Sequence, residues 1–156
     1  MRLVVVVVGR ARGELTAAIE EYERRAARYW KLEIVEVADG GRGRGGDPAR
    51  VRASEAERIL TRLPEGLEVA ALTREGKGMG SRELAGYLEE QAVRSSQGVV
   101  FVIGGAHGLG PTVLERAQRR LSLSAMTLPH EMARLVLAEQ LYRAGTIIRG
   151  EPYHKG

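Results

Sequence analysis

Residues 3–8, LVVVVV, are an unbroken aliphatic run, and residues 98–104, GVVFVIG, are a second. Successive side chains of a strand point to opposite faces, so strands of this composition are apolar on both. Both faces must then be covered, which is the situation of a parallel sheet between two layers of helices. The intervening segments supply those helices. Leu15, Ala18, Ile19, Tyr22, Ala26 and Tyr29 recur at helical spacing and predict a helix over Glu14–Trp30. The stretch Lys31–Val37, KLEIVEV, alternates as a second strand. Asp47 and Pro48 are a cap and a first-turn proline, opening a helix to about Leu63. Leu67–Leu72 reads as the third strand, and Ser81 as the cap of a helix over Arg82–Arg94. After the strand at Gly98–Gly104, Pro111 opens a short helix to about Gln118. RLSLSAMTL then gives a short fifth strand and a loop, and Pro129 opens a last helix to about Ala144. Strand and helix alternate throughout, which predicts an α/β fold with a mostly parallel sheet and helices on both faces. With no internal repeat and no linker, residues 1–156 read as one domain.

Composition excludes several classes. There is no cysteine, so disulfides and cysteine-based zinc sites are out. His107, His130 and His154 are far apart in sequence, which argues against a metal cluster. The opening MRLVVVVVGR is too short to span a membrane and has no small-residue cleavage site, so neither an anchor nor a signal is expected. A cysteine-free chain of this kind suits the cytoplasm. The 24 Lys+Arg against 20 Asp+Glu leave a net charge of +4, almost all of the positive charge being arginine. Arginine's planar fork matches phosphate, so the bias points towards nucleic acid.

In open parallel sheets the ligand site lies beyond the carboxyl ends of the strands. Three loops therefore matter: after Leu72, after Ile103 and after Ser124. The first contains Gly76-Lys77-Gly78, but a phosphate loop needs Ser or Thr after the lysine. The second, VIGGAHGLGP, has its glycines in the wrong order and on the wrong strand for a dinucleotide fold. Its His107 reads as an exposed loop residue. The third, LSLSAMTLPHE, carries small hydroxyls and no charge before the helix. Such a loop suits an uncharged adenine ring rather than a phosphate, or equally an ordinary turn with Met126 as filler. The last helix is apolar over Met132, Leu135, Val136, Leu137, Ala138, Leu141 and Tyr142, more than one sheet face needs. Either a second copy covers the excess, as in a homodimer, or the helix lies centrally in the monomer. Arg143 follows Glu139 at i+4 and reads as a surface ion pair. The stretch Gly40–Arg50, with Arg42, Arg44, Arg50 and nearby Arg52, reads either as a solvated loop or as an arm for RNA.

FVIGGAHGLG, LSLSAMTLPHEMARLVLAEQLYRA and RGEPYHKG, in this order near the C-terminus, resemble a small branch of the SPOUT methyltransferases. The likeness covers the whole chain and is most specific in the last third. It implies a sheet whose C-terminal segment threads a loop, a deep trefoil knot of a kind rare among folds. It implies a homodimer and S-adenosylmethionine as cofactor, in a pocket lined by Leu72, Gly104, Gly105, Leu123, Ser124, Ala125, Met126, Thr127 and Leu128. It implies methyl transfer to N3 of a pseudouridine in 23S ribosomal RNA, position 1915, on the assembled ribosome, with no metal and no membrane. Roles then fall to the C-terminus. Tyr153 would stack on or hydrogen-bond the base, His154 would accept the N3 proton or hold phosphate, and Arg143 would stabilise the imide anion or anchor RNA. Lys155 and Arg149 would contact phosphate. Another RNA such as transfer RNA, or a non-enzymatic ribosome-binding module, are the rival readings.

Overall fold

A computed structural model describes residues 1–41, 47–94 and 97–154. Arg42, Arg44 and Lys155, named above as possible RNA contacts, lie outside the described residues. Five strands form one sheet: β1 (Arg2–Val8), β2 (Lys31–Val37), β3 (Glu68–Gly78), β4 (Gly98–Ile103) and β5 (Arg119–Ser122). Their order is β2-β1-β4-β3-β5 and every pairing is parallel. The sheet is thus wholly rather than mostly parallel. Five helices cover it: α1 (Thr16–Ala26), α2 (Pro48–Leu60), α3 (Ser81–Val93), α4 (Pro111–Arg116) and α5 (His130–Ile148).

The two aliphatic runs do what their composition requires. Leu3, Val5 and Val7 of β1 pack with Val99, Phe101 and Ile103 of β4 beneath α3 and α5. Val4, Val6 and Val8 pack on the opposite face with Val100, Val102, Ala56 and Ile59 of α2 and Val113 of α4. Each such side chain taken fully from water stabilises the fold by about 1.5–3 kcal/mol before entropy is counted.

Several boundaries differ from the sequence reading. The first helix begins as a 3-10 turn at Gly13–Leu15 and ends at Ala26, because the chain must turn there to start β2. The N-cap of α3 is Gly80, not Ser81. Glu83 Oε1 accepts the Gly80 N–H (3.3 Å), and the Ser81 hydroxyl instead donates to Gln140 Oε1 of α5 (2.5 Å). The last helix runs to Ile148, past Gly145, because that glycine sits against the Tyr29 ring: a Cβ there would lie 2.4 Å from Tyr29 Cγ.

β3 continues six residues beyond Leu72, and this extension fixes the path of the chain. Leu121 of β5 is in register with both Leu72 and Lys77, with a register shift between them, so the edge strand β5 pairs with β3 and with its continuation. Gly76-Lys77-Gly78 is part of this pairing and forms no phosphate loop.

The apolar excess of α5 is explained mainly inside one copy of the chain. The helix is central to its layer, packed between α1 and α3 and over β1 and β4, with Leu137, Leu141 and Ala144 buried. Among its large apolar side chains only Met132 and Ile148 are exposed. Arg134 of α5 is buried and pinned by carboxylates from two other elements. Nε and Nη2 donate to Glu23 of α1 (2.7 and 3.1 Å), and Nη1 donates to Glu36 of β2 (2.6 Å). Arg134→Met is expected to lower stability by about 3 kcal/mol, because it strands two carboxylates. Adding Glu23→Gln should recover part of the loss in a denaturant titration. A single variant as stable as the parent would show the cluster to be dispensable.

Candidate active site

Leu72, Ile103 and Leu121 stand level in the sheet, since Leu72 pairs with both of the others. The three loops that leave these strands therefore converge above one edge of the sheet. They enclose a cavity of about 730 Å³, a size suited to a small-molecule ligand. Eight of the nine residues expected to hold a cofactor line it: Leu72, Gly104, Gly105, Leu123, Ser124, Met126, Thr127 and Leu128. Ala125 does not.

The local chemistry explains the shape. After β4 the chain makes a tight turn in which Gly108 N–H donates to Gly105 O (3.0 Å). Gly108 adopts φ +79°, a left-handed conformation natural to glycine. Gly104 must also be glycine, since a Cβ on it would lie 2.8 Å from the Gly108 carbonyl carbon. After β5, the Ser124 hydroxyl accepts the Met126 N–H (2.9 Å) and folds the uncharged loop over the cavity. Leu109, Leu114 and Leu123 supply apolar wall, while Arg52, Arg74, Glu75 and His107 stand around it. His107 is exposed, as expected, but belongs to the rim of the site. His130, which the sequence did not single out, also lines the cavity. Its place as the first residue of α5, directly after the uncharged loop, was the available signal.

The C-terminal group lies elsewhere. Pro152–His154 form a 3-10 turn folded back on α5. Tyr153 packs against the Tyr142 ring at 4.5 Å between centroids, and its hydroxyl donates to Glu139 Oε2 (2.9 Å). Arg143 Nη2 donates to the same oxygen (2.6 Å), and its guanidinium lies 5.0 Å from the Tyr153 ring centre. The Glu139–Arg143 pair is thus more than a surface ion pair: it is half-buried and organises the tail. Burial and the hydrogen bond to Glu139 push the Tyr153 phenol well above its ordinary pKa. At neutral pH it is a donor and not a base. The bond to Glu139 likewise holds the Arg143 guanidinium firmly charged. His154 Nδ1 is buried without a hydrogen-bond partner among the described residues. Ten residues of α5 separate Arg143 from cavity-lining Ala133, about 15 Å of helix. Within one copy, then, none of Arg143, Tyr153 and His154 lines the cavity.

A wholly parallel α/β sheet with its cavity at the carboxyl ends of adjacent strands defines a nucleotide-type ligand-binding fold. The family model described as "Predicted SPOUT methyltransferase" matches residues 1–154, and the chain belongs to that family. The chain is 56% identical over 157 residues to the ribosomal RNA large subunit methyltransferase H of Gemmatimonas aurantiaca, covering 99% of this chain and 100% of that protein. It is 50% identical over 155 residues to the protein of the same name from Rubrobacter xylanophilus, with 98% of each covered. A crystal structure of a probable methyltransferase from Bordetella pertussis shares the fold, with a TM-score of 0.57 and 21% identity over 92% of this chain and 94% of that one.

Proposed function

We propose that this protein transfers a methyl group from S-adenosylmethionine to N3 of a pseudouridine in large-subunit ribosomal RNA. Its substrate is the assembled ribosome in the cytoplasm, and its working form is a homodimer. The observation that carries the reading is the cavity itself, in which three strand ends gather eight of nine residues that resemblance assigns to the cofactor. The donor set fits the group. An adenosyl moiety needs apolar walls and backbone edges, which Leu72, Leu123, Leu128 and the Gly104–Gly108 turn provide. The charged residues Arg52, Arg74 and Glu75 at the same cavity suit a zwitterionic amino acid end. The threaded, knotted path is what the resemblance implies for this sheet.

When bound, the cofactor supplies an electrophilic methyl on a sulfonium, so the protein's task is mainly alignment. The N3 position starts as a weakly acidic imide N–H and must lose its proton as the bond forms. The His154 imidazole is the acceptor, since Tyr153 stays protonated and Arg143 stays charged. Arg143 stabilises the negative charge that spreads over the imide oxygens. Tyr153 presents a ring face to the base and a hydroxyl already oriented by Glu139. Because trio and cavity are separated within one copy, a second copy brings its tail to the cavity of the first. Arg149 contacts phosphate.

Labelled methyl transfer to ribosomes lacking the modification, with free 23S RNA and transfer RNA alongside, tests this. Label confined to intact ribosomes at a pseudouridine N3 is the expected result. Label in transfer RNA would overturn the substrate. Ribosome binding without cofactor binding would mark a non-enzymatic module.

A further inference from the structure

Glu55 is a carboxylate in a place where carboxylates are rarely found. It is 3% exposed. Oε2 accepts the Gly40 N–H (3.1 Å), and Oε1 has no hydrogen-bond partner among the described residues. Both oxygens press on the glycine turn: a Cβ on Gly105 would lie 3.0 and 3.2 Å from them. Gly105 lines the cavity, so Glu55 sits directly behind the cavity wall.

Its helix neighbours share the arrangement. Arg52, Glu55 and Arg58 are spaced by three on α2, which places them along one face. Arg58 Nη1 donates to Ala38 O (3.0 Å), and Arg52 Nη1 reaches His107 O (3.5 Å). One face of α2 thus grips two segments, residues 38–41 where the glycine–arginine stretch begins and residues 105–107 in the cavity turn. The titratable groups and cations around Glu55 are Asp39 after β2, His107 in the turn and Arg58 on α2.

We propose that Glu55 is a positioning residue of the cavity, a buried carboxyl that clamps the glycine turn at Gly105 to the chain at Gly40. Ionising it places an unpaired charge behind the wall and loosens the turn, so the cavity is best formed below the pH at which Glu55 ionises. Burial, the largest influence, and Asp39 raise the carboxyl's pKa, and the Gly40 N–H, His107 and Arg58 lower it less. The sign follows. A raised carboxyl pKa in the folded state means that stability is fully present below the unfolded value and is lost as pH rises through the folded one. The effect on the ligand rests on the cavity being the cofactor site, whereas the effect on the turn does not.

The test is amide hydrogen exchange of ligand-free protein, corrected for the intrinsic rate, from about pH 4, near the ordinary carboxyl pKa, to about pH 8.5. In the parent, protection at Gly40 and at Gly105–Gly108 should fall as pH rises. In Glu55→Gln it should stay flat, leaving the parent's turn less protected than the variant's at the upper end. Glu55→Met, neutral but unable to accept from Gly40, should lose protection at Gly40 at every pH without a pH slope. Superimposable profiles for the parent and Glu55→Gln, or a change at Gly40 alone, would overturn the proposal. Calorimetric titration with S-adenosylmethionine separates the two readings. Affinity that falls with pH in the parent only supports both, and no binding by any variant beside distinct exchange profiles removes the cofactor and leaves the clamp.

Discussion

Gly76→Ala is expected to leave little or no folded protein. A Cβ at this position would lie 2.7 Å from the carbonyl carbons of both Arg120 and Leu121, and 2.8 Å from Arg120 O. All three are backbone atoms, so no side chain can rotate out of the way. β5 is also tied to β3 at both Leu72 and Lys77, which opposes its retreat as a unit. Overpacking a core costs about 1–3 kcal/mol when side chains can adjust, and here they cannot. We expect a loss above about 4 kcal/mol, a large fraction of the stability of a domain this size. Gly78→Ala two residues on is the control. Nothing lies within 4 Å of the Cβ it would add, so its effect should stay within about 0.5 kcal/mol. Thermal and urea denaturation of the pair reads the difference. A Gly76→Ala protein melting with the Gly78→Ala protein would mean that the two segments do not approach as described.

Truncation after Glu151 should abolish methyl transfer while leaving the cavity able to bind S-adenosylmethionine. The removed Tyr153 and His154 are held by α5 and contribute no large buried apolar side chain, so the fold should persist. Losing the proposed proton acceptor and base-facing ring together should reduce turnover by about 10²–10⁴-fold. A mixing experiment then shows whose tail serves which cavity. Thr127 is exposed and lines the cavity, so Thr127→Trp fills the site without disturbing the core. In a homodimer with tails exchanged, truncated and Thr127→Trp copies form mixed pairs with one intact site. Equal mixing should restore about a quarter of the parent activity. A tail acting on its own cavity would restore none. Full activity in the truncated enzyme alone would remove the tail from the chemistry.

Much of this arrangement was legible in the residues. The two aliphatic runs required a covered sheet, and the alternation of strand and helix required that its strands be parallel. The strand-end rule then located the three loops of the cavity before any coordinates. What escaped the sequence did so for physical reasons. The extension of β3 over residues 73–78 is polar and pairs through its backbone, so it carries no hydrophobic period to detect. Gly145 reads locally as a helix breaker, yet α5 continues through it, because the absent side chain is needed by the Tyr29 ring. Ser81 is a better cap than glycine by local preference, but its hydroxyl is drawn to Gln140 on another helix. Glu55 looked like any polar residue of a surface helix, since burial is a property of what lies above a residue.

The sequence by itself determined the class of fold and the three loops of the cavity, because these follow from periodicity and local composition, and its C-terminal motifs carried the resemblance to the family. Only the tertiary structure decided that β5 pairs with both Leu72 and Lys77, that a carboxyl group stands behind the cavity wall and that Glu139 organises the tail. Each of these depends on groups distant along the chain meeting in space, and no local pattern encodes such a meeting.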